Sequence, residues 1–193
     1  MNSPKVSCHV DSVCLVGKGG VSNDASNILL SIGVPITNNI DTSTYGGMTW
    51  IKSRSAATNN CLFDTARGAT KYLNSNATTA STTDANGLTA FGTTGFTLGS
   101  GGTAGDQVNV SAATYASWTF RKQPKFFDVV TYTGNGTTQA ISHNLGSTPG
   151  CIIVKETSAA SNDGWAVYHR SLGASYHLFL NLTSAGSTAQ EET

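Results

Sequence analysis

Two stretches roughly a hundred residues apart run in step, and this limits the possible folds more than any other feature of the chain. Met48-Thr-Trp-Ile-Lys52 matches Cys151-Ile-Ile-Val-Lys155, each a short apolar run closed by a lysine. Leu62-Phe-Asp-Thr-Ala-Arg-Gly68-Ala-Thr-Lys-Tyr-Leu73 matches Val167-Tyr-His-Arg-Ser-Leu-Gly173-Ala-Ser-Tyr-His-Leu178. Asn76 and Thr78 then match Asn181 and Thr183. The offset is 103 at the lysines and 105 at the glycines. The change of two falls in a polar stretch, where a loop absorbs insertion. Agreement in order, spacing and residue class over about 30 positions is the mark of one unit written twice. A chain of 193 residues then holds two small units, not one large core.

The local pattern says what each unit is made of. Apolar residues fall in short runs separated by Gly, Asn, Ser and Thr, as strands separated by turns do. The runs are Met48–Lys52, Cys61–Phe63, Leu88–Phe91, Phe96–Leu98, Val108–Val110, Tyr115–Phe120, Phe126–Tyr132, Cys151–Lys155, Trp165–Tyr168 and Tyr176–Leu182. In Tyr115–Phe120, Ala116, Trp118 and Phe120 alternate with Tyr115, Ser117 and Thr119, giving one apolar face at period two. Phe126–Tyr132, Gly134-Asn-Gly136 and Thr137–Ile141 read as a hairpin, because Asn-Gly supplies the positive φ of a tight turn. Thr is abundant, and its branched side chain suits a pleated, half-exposed strand. The expectation is an all-β antiparallel sandwich or jelly roll, tandemly repeated. Residues 1–44 fit the unit poorly and read as an attachment arm, 45–122 as the first module and 123–193 as the second. Arg121-Lys-Gln-Pro124-Lys lies between the copies, and Pro124 favours an extended link. The first copy continues through further strands, whereas the second reads as incomplete. An incomplete sheet leaves an open edge, which invites pairing with another chain.

Composition removes several function classes. Eleven Lys and Arg balance eleven Asp and Glu, and charged residues are only 11% of the chain. Without a basic surplus there is little to displace counterions from phosphate, so nucleic acid is not an expected partner. No polybasic or amphipathic stretch marks a membrane surface, and Ile28-Leu-Leu-Ser-Ile32 is too short to span a bilayer. Met1 to His9 lacks the apolar centre of a signal peptide. Cys8, Cys14, Cys61 and Cys151 form no CxxC pair and read as buried, reduced thiols, with a Cys8–Cys14 hairpin bridge as the alternative.

Groups able to do chemistry are scarce and scattered. Asp11, Asp24, Asp41, Asp64, Asp84, Asp106, Asp128, Glu156 and Asp163 stand singly before the terminal Glu191-Glu192 pair. His9, His143, His169 and His177 read as surface or turn residues; His169 and His177 flank Gly173, but their counterparts are Asp64 and Tyr72. Gly17-Lys-Gly-Gly20 lacks phosphate-loop spacing and reads as a turn, and no Gly-x-Ser-x-Gly elbow is present. No catalytic residue, metal or cofactor is therefore expected. A glycan depolymerase working through a pair such as Asp64 and Asp128 is the enzymatic alternative. Among the aromatic residues, Trp50 and Trp118 read as core. Trp165, Tyr168 and Tyr176 are the candidates for stacking on sugar rings.

Gly46-Gly-Met-Thr-Trp-Ile-Lys-Ser-Arg54, the Leu62–Leu73 motif, Gly95-Phe-Thr-Leu-Gly99 and Trp118-Thr-Phe-Arg-Lys122 resemble a module of tailed-bacteriophage tail and fibre proteins, especially marine ones. Phe126–Gly136, His143-Asn-Leu-Gly146, Pro149–Lys155 and Trp165–Ala174 resemble its next copy. The resemblance implies lectin-like (concanavalin-A-like) jelly rolls in a virion component, assembled in the host cytoplasm and exposed outside the cell. It implies a homo-oligomer in contact with other virion proteins, and with host-surface glycan through avidity. A tail, fibre or base protein is the first expectation and a capsid decoration protein the second.

Overall fold

The computed structural model describes residues 33–158, 164–184 and 186–188. The expected Cys8–Cys14 bridge, the Gly17–Gly20 turn and the Ile28–Ile32 run lie outside the described residues.

Among the described residues the fold is antiparallel β, with one short helix. In chain order the elements are β1 (Val34–Thr37), β2 (Gly47–Ser53), β3 (Asn60–Asp64), β4 (Lys71–Asn74), β5 (Thr82–Thr83), β6 (Leu88–Phe91) and β7 (Gly95–Leu98). Helix α1 (Gly102–Val108) follows, then β8 (Tyr115–Arg121), β9 (Cys151–Val154), β10 (Ala166–His169), β11 (Tyr176–Phe179) and β12 (Ser187–Thr188). They form a five-stranded sheet in the order β5-β4-β3-β2-β8, a three-stranded sheet β1-β7-β6 and a four-stranded sheet β12-β11-β10-β9.

The first two sheets make a sandwich. Ile51, Cys61, Phe63 and Tyr72 point inward from the five-stranded sheet and meet Leu88, Phe96 and Leu98. Ala104 and Val108 of α1 close the same core. Phe63 is wholly buried and lies 5.9 Å from the Tyr72 ring. Gly87 is required there, because a Cβ at that position would come within 2.8 Å of Ala104 Cβ and 3.1 Å of the Phe63 ring. Period two sets the opposite face: Met48, Trp50, Leu62 and Leu73 point outward, and Trp165 covers them.

The third sheet repeats the pairing of the first. Met48 pairs with Asp64 across β2 and β3, and Cys151 pairs with His169 across β9 and β10, the partners sitting at offsets of 103 and 105. Leu62↔Leu73 corresponds to Val167↔Leu178, and Tyr72↔Thr82 to His177↔Ser187. The turns agree too, with Gly68 at φ 96° and Gly173 at φ 87°, a left-handed conformation that glycine adopts freely. Even a strand-end clamp recurs. The Asn76 side-chain oxygen accepts the Asn60 N–H, and that of Asn181 accepts the Trp165 N–H, both at 2.8 Å. Ser75 N–H donates to Asn60 O as Leu180 N–H donates to Trp165 O, both at 3.0 Å.

Several sequence expectations require correction. Strand β1 belongs to the sandwich, paired with β7, so the first unit begins before residue 45. Pro35 is accommodated because β1 is an edge strand. Val108–Val110 is not a strand; Val108 ends α1. The Phe126–Ile141 hairpin does not form. Asn135 accepts bonds from Thr137, so the local turn is made, but Thr131–Ala140 is exposed and pairs with no strand. A two-stranded hairpin without a sheet beside it is marginal in water, and Phe127 instead stacks on Phe120 at 5.4 Å. Tyr176–Leu182 is a strand only to Phe179. Trp50 and Trp118, paired in register and packed edge to face at 6.0 Å, lie on the half-buried outer face and not in the central core.

Replacing Phe63 with Ala removes the central ring of the sandwich and is expected to lower stability by about 3–5 kcal/mol. Denaturant unfolding followed by circular dichroism measures the loss.

Candidate functional site

The residues with chemical potential are held in structural roles. Asp64 ends β3 and is buried; its Oδ1 accepts the Arg67 N–H at 2.8 Å, and its Oδ2 meets Arg67 Nε at 2.5 Å. Arg67 also donates to Leu62 O at 3.1 Å and Ser81 Oγ at 3.2 Å. The pair therefore locks the β3–β4 turn. Asp128 meets Lys122 Nζ at 3.2 Å and accepts the Asn144 N–H at 2.7 Å, tying the segment after β8 to the loop before β9. Burial raises its pKa, but the Asn144 N–H and the Lys122 ammonium outweigh that and leave it below the ordinary 3.8. A glycosidase acid needs the opposite shift. Asp84 accepts the Ala104 and Asn86 N–H groups at 2.8 Å, and these hold its pKa below 3.8. The Cys61 thiol lies in the core and burial pushes its pKa up to about 12, so it is not a thiolate nucleophile at neutral pH. Cys151, expected to be buried, is exposed on β9. Among the described residues, no three His, Cys, Asp or Glu side chains cluster as metal ligands do.

The three aromatic residues expected to stack on sugar do not share a platform. Trp165 is 5% exposed, packed on Leu62 and Leu73. Its indole Nε1 donates to Asn74 O and Ala77 O, both at 3.1 Å. That ring joins the first and third sheets and leaves no face open to a ligand. Tyr168 is half-buried on β10 and shares a face with Ile152, its partner on β9. Tyr176 is exposed on β11, but the register that sets Val167 against Leu178 turns it to the other side of the sheet.

What stands open is the third sheet itself. Ile152, Ile153, Val154, Tyr176 and Leu178 are each at least 36% exposed, and alternation distributes them over both faces. Strand β9 ends the sheet order. Its counterpart β2 carries β8 on the equivalent edge, from Gly47↔Arg121 to Ser53↔Tyr115. The apolar runs pointed to these strands, but only exposure and pairing show that, among the described residues, their faces and the β9 edge lack the cover the first sheet has. This uncovered apolar sheet is the candidate functional surface.

A family model described as a domain of unknown function, DUF7483, matches residues 22–193. The chain belongs to the DUF7483 family. The DUF7483 match spans both the sandwich and the third sheet. No curated protein and no solved structure matches the chain. Among the described residues of this DUF7483 member, no helix is long and apolar enough to cross a membrane.

Two outcomes follow for the charged groups. Arg67→Ala leaves the Asp64 carboxylate buried without its partner and is expected to destabilise the fold by about 3–5 kcal/mol, read from denaturant unfolding. For Asp128, the lowered folded pKa gives a stabilisation present above pH 3.8 and lost as pH falls through the folded value. The melting temperature of Asp128→Asn should lie below that of the natural chain at pH 6, and the gap should close below pH 3.8.

Proposed function

We propose that the chain is a non-enzymatic structural component of a bacteriophage virion, placed in the tail, its fibres or their base, and assembled as an oligomer. The third sheet, with exposed apolar residues on both faces and ending in β9, which among the described residues pairs on one side only, carries this reading. Such a surface suits a part that is finished by its neighbours in an assembly. We read the two matching sheets as copies of one unit, supported by their common order, register and strand-end clamps. The lectin-like jelly-roll ancestry of that unit belongs to the same proposal.

The chemistry is compatible with a passive role. Asp64 and Asp128 are engaged in local ion pairs. A zero formal charge and a surface of Thr, Asn and Gly suit dense packing of identical subunits. Contact with host glycan falls to exposed rings such as Tyr176 and gains strength from many copies.

Labelling intact phage particles with an antibody to this chain, followed by electron microscopy, tests the placement. Label on the tail supports the reading; label on the head faces favours a capsid decoration protein, and absence from the particle overturns the virion role.

A further inference from the structure

We propose that the open edge of β9 pairs with β9 of a second copy, antiparallel about a twofold axis at Ile153, joining two four-stranded sheets into one of eight strands. The inference gives a specific contact to the oligomer proposed above.

The main chain supplies the first argument. Arg170 N–H donates to Gly150 O at 2.9 Å, just as Thr65 N–H donates to Gly47 O at 2.9 Å. In an antiparallel ladder, alternate residues turn both main-chain groups to the same neighbour. Gly150, Ile152 and Val154 therefore face β10, and Cys151, Ile153 and Lys155 aim their N–H and C=O groups at the open side. The first sheet shows what such an edge takes. The corresponding residues Met48, Trp50 and Lys52 face β8, an antiparallel strand.

The second argument concerns the identity of the partner. An antiparallel strand pair is the arrangement that a strand makes with its own copy across a twofold axis, so β9 is its own complement. With Ile153 on the axis, Cys151 stands opposite the partner's Lys155, and every outward main-chain group from residue 151 to residue 155 finds a mate. A register centred on Ile152 sets Lys155 opposite Pro149, which has no N–H to offer the Lys155 carbonyl.

Charge supplies the third argument. Cys-Ile-Ile-Val is uncharged, and the formal charge of the whole chain is zero, so two copies approach without repulsion. Cys151–Val154 contains no proline or charge, the usual guards of an edge, and Lys155 at the end of the ladder meets the partner's uncharged Cys151. Its Ile152, Ile153 and Val154 are 42%, 48% and 40% exposed, so the contact adds apolar burial to the ladder bonds.

The test is sedimentation equilibrium of the full chain, natural and variant. The natural chain should be a dimer that dissociates on dilution. Ile153→Pro removes only an outward N–H, and Ile153→Lys sets two ammonium groups face to face. Each should weaken dimerisation at least about tenfold while circular dichroism stays that of the natural chain. In a Cys151→Ser background, Ile153→Cys should form an intermolecular disulfide on mild oxidation. A natural chain that is monomeric at all concentrations overturns the proposal, as does an oligomer unaffected by folded Ile153→Pro or Ile153→Lys. The virion reading is decided separately by the chain's place on the particle.

Discussion

Strand β3 is buried on both of its faces, and the rest of the described structure is arranged around that condition. Cys61 and Phe63 face the three-stranded sheet and α1; Leu62 faces outward to Leu73 and Trp165. A sheet with two apolar faces needs two covers. The inner cover comes from β1, β6, β7 and α1. The outer cover is built around Trp165, whose indole N–H is also satisfied by main-chain oxygens after β4. Because Trp165 leads into β10, the contact that completes the first sheet also anchors the third.

The third sheet has the same plan and not the same cover. Its strand order, its register and its Asn181 clamp reproduce those of the first sheet. Its exposed Ile152, Ile153, Val154 and Leu178 occupy positions whose counterparts, Thr49, Trp50, Ile51 and Leu73, are buried or half-buried. The contrast is internal to one chain, with similar strands in both settings. It directs attention away from catalysis and toward contact. The carboxylates Asp64 and Asp128 already hold turns and loops, and the Cys61 thiol is sealed in the core.

Much of the fold could be read from period and punctuation. The runs at Met48, Cys61, Phe96, Tyr115 and Cys151 are strands because short apolar segments between Gly, Asn and Thr have few alternatives. Asn76 and Asn181 matched in sequence, but that each clamps a strand end is visible only from their bonds. Tertiary context decided the rest. Periodicity put Ala116, Trp118 and Phe120 on one face but not on a particular side, and they lie on the outer one. Asn135 made its turn, yet no sheet accepted the strands beside it. Trp165, Tyr168 and Tyr176 are close in sequence, but one ring is spent on the first sheet and the two tyrosines take opposite faces. Exposure of a sheet depends on what is missing around it, which no local pattern records.

Amide hydrogen exchange, resolved by residue in a dilute solution of the chain, addresses the contrast between the two sheets most directly. The account predicts slow exchange for Cys61, Leu62 and Phe63 in doubly covered β3, and much faster exchange for their counterparts Ala166, Val167 and Tyr168 in β10. Equal protection of the two strands under those conditions would contradict it.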